Sequence, residues 1–267
     1  MYSEILELYD KKGVIYDNQS KVEGCLLYET CPKKNDCWKG INHQKADWNI
    51  IQLPYVGSEY STEKYPIAIL GLNLNEYGGI CSLRDLILDA QYSLSKGWVK
   101  IRFGNDYKDY PGTFLFHRVA AYSNIISRDH LNDKDTNILS GKILAKMYDK
   151  ICFLEAIKCS PSNGSNSSPT PEMYQNCPRE YLLEELKILK PKILLVLGKE
   201  TIIPENVFIV EDVKHSKNGN ISLYKIKDNQ IQFIYKVVHP TARGGNSNEI
   251  IDEFIDFSKK NLTIAST

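Results

Sequence analysis

Short, unbroken apolar runs alternate along the chain with stretches whose apolar residues recur every three or four positions. The runs PIAILGL (66–72), ICFLEAIK (151–158), KILLVLG (192–198), NISLYKI (220–226) and IQFIYKVV (231–238) have strand length. Residues 3–11, LRDLILDAQYSLSKG (83–97), TFLFHRVAAYSNII (113–126), ILSGKILAKMYDK (138–150), PREYLLEELKILK (178–190) and NEIIDEFIDFSKK (248–260) carry helical spacing. Gly13 and Gly97 are placed to stop two of these helices. Strands alternating with helices predict an α/β fold, a central mainly parallel sheet flanked by helices. In such sheets chemistry gathers outside the carboxyl ends of the strands. Three segments end a strand with unusual polar residues: GLNLNE (71–76), EAIKCSPSN (155–163) and VVHPTARGG (237–245).

Composition narrows the class. The 267 residues are 42% apolar and 25% charged, which is ordinary for a globular protein. The chain reads as one domain, 1–267, with a cysteine-bearing N-terminal segment (about 1–50) and a turn-rich insertion near 76–112. Lys+Arg and Asp+Glu both total 33, so any nucleic-acid contact must come from a local patch. The N-terminus, MYSEILELYDKKG, lacks the apolar core of a signal peptide, and no apolar run is long enough to span a bilayer. The expectation is a cytoplasmic monomer without a membrane partner, in a compartment where cysteines more often bind metal or react than form disulfides.

The cysteines frame the sharpest question. Cys159 and Cys177 bracket a stretch of Ser, Asn, Pro and Gly that cannot order itself by burying apolar surface. Cys25, Cys31 and Cys37 lie in CLLYETCPKKNDCW, which reads as an irregular segment. Thiolates suit an iron–sulfur cluster and structural zinc alike. Cys81 and Cys152 sit in apolar surroundings and read as core residues.

The polar strand ends, taken together, resemble the uracil-DNA glycosylase superfamily, above all its iron–sulfur (family 4-like) members. The resemblance rests on Gly71-Leu72-Asn73-Leu74-Asn75 and Glu155-Ala156-Ile157-Lys158-Cys159-Ser160-Pro161. It extends through Thr170-Pro171-Glu172, Cys177, Lys190-Pro191-Lys192-Ile193, Leu197-Gly198 and His239-Pro240-Thr241. It implies a DNA glycosylase with DNA as partner, which flips a nucleotide and hydrolyses its N-glycosidic bond. It also implies a 4Fe–4S cluster on Cys31, Cys37, Cys159 and Cys177, with Cys25 as a substitute ligand and zinc as the alternative metal.

The same resemblance assigns roles. Asn73 would orient the attacking water, with Glu76 as the alternative, and His239 would donate to the leaving base. Gly71, Leu72 and Phe114 would line the base pocket, Phe114 as a stacking platform that Phe116 or Tyr110 can replace. Lys158, Ser160, Ser162, Thr241, Arg243 and Gly244 would meet DNA, Arg243 filling the gap left by the flipped nucleotide. Glu155 stands where uracil-specific relatives carry Asn. An ionised Glu only accepts hydrogen bonds, so it suits the exocyclic amine of a cytosine-type base rather than uracil O4; a protonated one can donate. The expected substrate is therefore a modified cytosine, as in modified phage DNA, with uracil repair and a catalytically silent DNA-binding protein as alternatives.

Overall fold

A computed structural model describes residues 1–14, 25–27, 30–37, 50–72, 83–96, 114–130, 140–158, 169–198, 208–228, 230–239 and 247–261. Among them the strands are β1 (Cys25–Leu27), β2 (Ile50–Gln52), β3 (Tyr55–Val56), β4 (Ile67–Gly71), β5 (Ile151–Glu155), β6 (Ile193–Leu197), β7 (Val210–His215), β8 (Ile221–Ile226) and β9 (Phe233–Val237). The helices are α1 (Tyr2–Lys11), α2 (Lys34–Cys37), α3 (Leu83–Ser95), α4 (Phe114–His130), α5 (Gly141–Lys150), α6 (Pro171–Cys177), α7 (Leu183–Leu189) and α8 (Ser247–Asn261).

The expected α/β architecture is present. A seven-stranded sheet has the order β3-β5-β4-β6-β9-β8-β7, and β6 and β9 pair in parallel from Ile193–Phe233 to Leu197–Val237. β4, β5 and β6 are buried at every position. Burial on both faces removes any reason to alternate polar and apolar residues, and so these strands read as continuous apolar runs.

The antiparallel edge was less legible. β7 pairs with β8, and β8 with β9, so the sheet finishes as a meander. VEDVKH carries exposed residues at most positions because it is an edge strand, and it has no apolar run to announce it. The segment expected to be irregular holds structure too. Cys25–Leu27 pairs antiparallel with Ile50–Gln52, and α2 follows at Lys34.

The chain divides into two compact units. One comprises Met1–Tyr55, Leu70–Asp85 and Phe153–Lys190, and the other Val56–Ile69, Leu86–Cys152 and Pro191–Thr267. In the first, Thr170 caps α6 by accepting the Met173 N–H at 3.2 Å, and Pro171 opens the helix, where its missing N–H costs nothing. The helical path continues through a wide π-turn (Pro178–Leu182) into α7 and stops at Lys190, whose φ of 49° is left-handed, just before Pro191.

In the second unit, Phe254 of α8 packs on Tyr122 of α4 and Tyr235 of β9, with ring centroids 4.9 and 5.9 Å apart. Gly57 donates its N–H to the Ile151 carbonyl at 2.9 Å, and a side chain there would run into the Tyr148 and Asp149 carbonyls. Backbone cannot yield as a side chain can. Gly57→Ala is expected to cost at least about 2 kcal/mol, read as a lower denaturant midpoint at unchanged slope.

Candidate active site

β4 and β5 end side by side. Beyond the last strand residues, the Ala156 N–H donates to the Gly71 carbonyl at 2.9 Å, and the Ile157 N–H donates to the Leu72 carbonyl at 2.7 Å. Glu155 is the final residue of β5 and is only 4% exposed. Its Oε2 has no hydrogen-bond partner among the described residues. A Cβ added to Gly71 would lie 2.7 Å from Oε2 and 3.0 Å from Oε1, so the carboxyl rests directly against the glycine Cα. Any larger residue at 71 would expel it. Leu72 is half-buried beside it, and Asn73 lies outside the described residues.

Burial pushes the Glu155 carboxyl toward its neutral form. Desolvation raises its carboxyl from 4.5 to about 8, opposed only in part by the Lys158 charge. At neutral pH the group is therefore mostly the neutral acid, and so both a donor and an acceptor.

Lys158 explains why the compensation is weak. The sequence reading places it against a phosphate, but its side chain is 1% exposed and its ammonium pairs with Glu185 Oε2 at 2.5 Å. Glu185, fully buried on α7, also accepts the Tyr9 hydroxyl of α1 at 2.6 Å on Oε1. Tyr9 stacks on Tyr181 with centroids 5.0 Å apart and planes 9° from parallel. Nothing in the helical pattern separates Glu185 from Glu184, yet Glu184 makes an exposed i,i+3 pair with Lys187.

Three of the expected ligand cysteines lie in the same unit. Cys37 closes α2 and Cys177 closes α6, and α6 presents Thr170 Oγ1 to the Cys37 carbonyl at 2.9 Å. A hydrogen bond from the Cys177 thiol is the main cause that brings the Cys37 thiol down to about 7, and Asn176 Nδ2 adds a contact to its sulfur at 3.6 Å. Cys31, raised by burial, feels the charge of Cys37 and meets the Tyr181 hydroxyl at 3.2 Å. Among the described residues no group of three or more His, Cys, Asp or Glu side chains is arranged to hold a metal ion. The fourth expected ligand, Cys159, lies outside them. Cys25 begins β1, paired with Gln52. Cys152 is fully buried, as a core residue should be, and Cys81 is not among the described residues.

His239 follows β9 by two residues and is half-buried, and desolvation holds its imidazole below the ordinary value, which favours the neutral ring. Phe114 is the first residue of α4. Ser160, Ser162, Thr241, Arg243 and Gly244 lie outside the described residues, as do Glu76 and Tyr110. His117 of α4, which the sequence did not single out, is fully buried, and desolvation lowers its imidazole to about 4 against a smaller opposing effect from the Ala90 backbone.

The α/β sheet carries a buried acid at the end of one strand, where sheets of this kind gather their chemistry. The uracil DNA glycosylase superfamily model matches residues 104–259, more than half of the chain, and the chain belongs to that superfamily, whose members are DNA glycosylases. The matched span contains Glu155, Lys158, Cys159, Cys177 and His239 but neither Gly71 nor the N-terminal cysteines. No curated protein matches the chain. Among the described residues, no helix is long and apolar enough to cross a membrane.

Two stability measurements check this electrostatic account. Lys158→Met strands a buried carboxylate and is expected to cost about 3–5 kcal/mol in denaturant unfolding, whereas Lys158→Met with Glu185→Leu recovers most of it. Because the folded state raises the Glu155 pKa, stability is full below the ordinary value of 4.5 and is lost as pH rises toward about 8. Glu155→Gln removes that loss, so its unfolding free energy relative to the parent should rise across this window by up to about 1.4 kcal/mol per pH unit, read from denaturant midpoints.

Proposed function

We propose that the protein is a monofunctional DNA glycosylase that hydrolyses the N-glycosidic bond of a flipped, modified cytosine-type base and leaves an abasic site. The observation that carries this reading is the buried carboxyl of Glu155, held against Gly71 at the paired ends of β4 and β5 with one oxygen unpartnered among the described residues. A desolvated polar atom costs stability unless something meets it, and a base edge would supply the missing hydrogen bonds.

Breaking the bond leaves a cationic sugar and an electron-rich base. Asn73 would orient a water towards the sugar, and needs no basicity to do so because the cation draws the oxygen in. His239, whose burial favours the neutral ring, would donate an N–H to the base carbonyl oxygen as charge develops there. Arg243 would occupy the space the nucleotide leaves, and Ser160, Ser162, Thr241 and Gly244 would hold the flanking backbone. Phe114 would stack on the base.

The expected donors are thiolates, the ligand type that a 4Fe–4S cluster takes. Cys31, Cys37 and Cys177 would hold it with Cys159, and when bound it supplies thiolate bonds that cross-link the N-terminal segment to both ends of the 159–177 loop. This is a structural part, with no redox step in the reaction. Excision of modified cytosine suits defence against phages that carry such bases, because a pocket that accepted ordinary cytosine would destroy the host genome.

The test is incubation with oligonucleotides carrying uracil, cytosine or 5-substituted cytosines, followed by alkaline cleavage, mass analysis of the released base, and iron and sulfide determination on the same preparation. Release of a 5-substituted cytosine by an iron-bearing protein is the expected result. Uracil release alone would mark a repair enzyme, and binding without strand breaks a silent DNA-binding protein. Zinc in place of iron would overturn the cluster.

A further inference from the structure

We propose that Glu155 is a catalytic acid that delivers its proton to ring nitrogen N3 of a 4-aminopyrimidine as the glycosidic bond breaks. This rests on the reading of Glu155 as the residue that faces the base edge, and it assigns that site a substrate class by chemistry.

The surroundings keep the proton on the carboxyl. From β4 the group packed on it is Gly71, which does not titrate. From its own segment comes Lys158, whose ammonium is committed to Glu185, itself bound to Tyr9. Among the described residues, then, the carboxyl has no cation of its own, and Oε2 meets no donor. A carboxylic acid so placed offers an O–H and a C=O side by side. Against a 4-aminopyrimidine the O–H reaches N3, an acceptor, while the C=O accepts from the 4-amino group. Against uracil the pair also fits, with O–H to O4 and C=O from N3–H, but N3 already holds a proton and cannot take another.

That difference matters for leaving. A 4-aminopyrimidine departs poorly as an N1 anion because its amino group feeds electron density into the ring. As the N1–C1′ bond breaks, its electron pair goes to the base; the Glu155 O–H bond breaks and an N3–H bond forms, so the base leaves neutral. Water adds to the sugar cation at C1′ and releases one proton to solvent, and solvent reprotonates Glu155. Atoms and charge balance without any redox partner.

The experiment uses the full-length holoprotein and a matched pair of DNAs, 5-hydroxymethylcytosine and 5-hydroxymethyluracil, which differ only in the C4 substituent and the N3 proton, with plain uracil DNA alongside. Single-turnover rates are read from pH 6 to 10 for the parent and for Glu155→Gln, an amide that keeps one donor and one acceptor but has no acid proton. The parent rate on the cytosine member is expected to fall about tenfold per pH unit above about pH 8. Glu155→Gln is expected to abolish that limb and to shift the cytosine-to-uracil rate ratio by about 100-fold or more toward uracil. A thermal melt and the visible spectrum verify that the variant folds and keeps its metal; if it does not, the pH limb of the parent decides alone.

Release of both members with a flat pH profile in the parent, or with an unchanged ratio in the variant, overturns the acid role and leaves the glycosylase reading standing. Release of the uracil types alone overturns the substrate class. No release from any DNA overturns the glycosylase reading and this inference with it.

Discussion

The ion pair between Lys158 and Glu185 sets the electrostatics around the strand end. Two charges taken almost fully out of water are tolerable only when they meet closely and their remaining hydrogen-bonding capacity is used, and Tyr9 uses part of it. The pair therefore fixes α1, α7 and the turn after β5 to one another. It also settles a competition, because an ammonium engaged with Glu185 gives only partial relief to Glu155 three residues earlier. Glu185 holds the ammonium, and burial pushes the Glu155 carboxyl toward the neutral acid.

A neutral acid at a strand end changes what the site can recognise. Ionised, Glu155 would read only hydrogen-bond donors. Protonated, it offers the same donor–acceptor pair as an amide and adds a proton that an amide cannot give. Gly71 makes the arrangement possible for a reason of shape alone, since a Cβ would overlap the carboxyl. Two ordinary facts, a missing side chain on one strand and a diverted lysine on the next, thus combine into a chemical property that neither strand has by itself. The superfamily match over 104–259 gives that property a setting in glycosidic bond cleavage.

Legibility followed the physics of each segment. β4, β5 and β6 were readable because burial on both faces demands an apolar run, and α5 and α8 because one face must be apolar while the other is wet. β7 was not, because an edge strand facing water has no need of either pattern. β1 and β2 are only three residues each, too short for alternation to register. Spacing along the chain does not bring Cys37 to Cys177; the fold does, and their thiols then meet.

The chemistry of the strand ends was written in residue order: a glycine, a glutamate, a lysine and a histidine where apolar runs stop, with cysteines around a loop too polar to pack. Order along the chain reveals which groups are available and which local element carries them, because hydrogen-bond periodicity and side-chain polarity are local matters. It does not reveal which carboxylate a lysine will choose. Glu184 and Glu185 are neighbours, yet one meets solvent and the other the interior, and that choice moved Lys158 from an expected phosphate contact to a buried pair. Protonation of Glu155 depends on the same event, since a pKa answers to burial and to the charges within a few ångströms, and those are assembled from α1, α7, β4 and β5 only when the chain is folded.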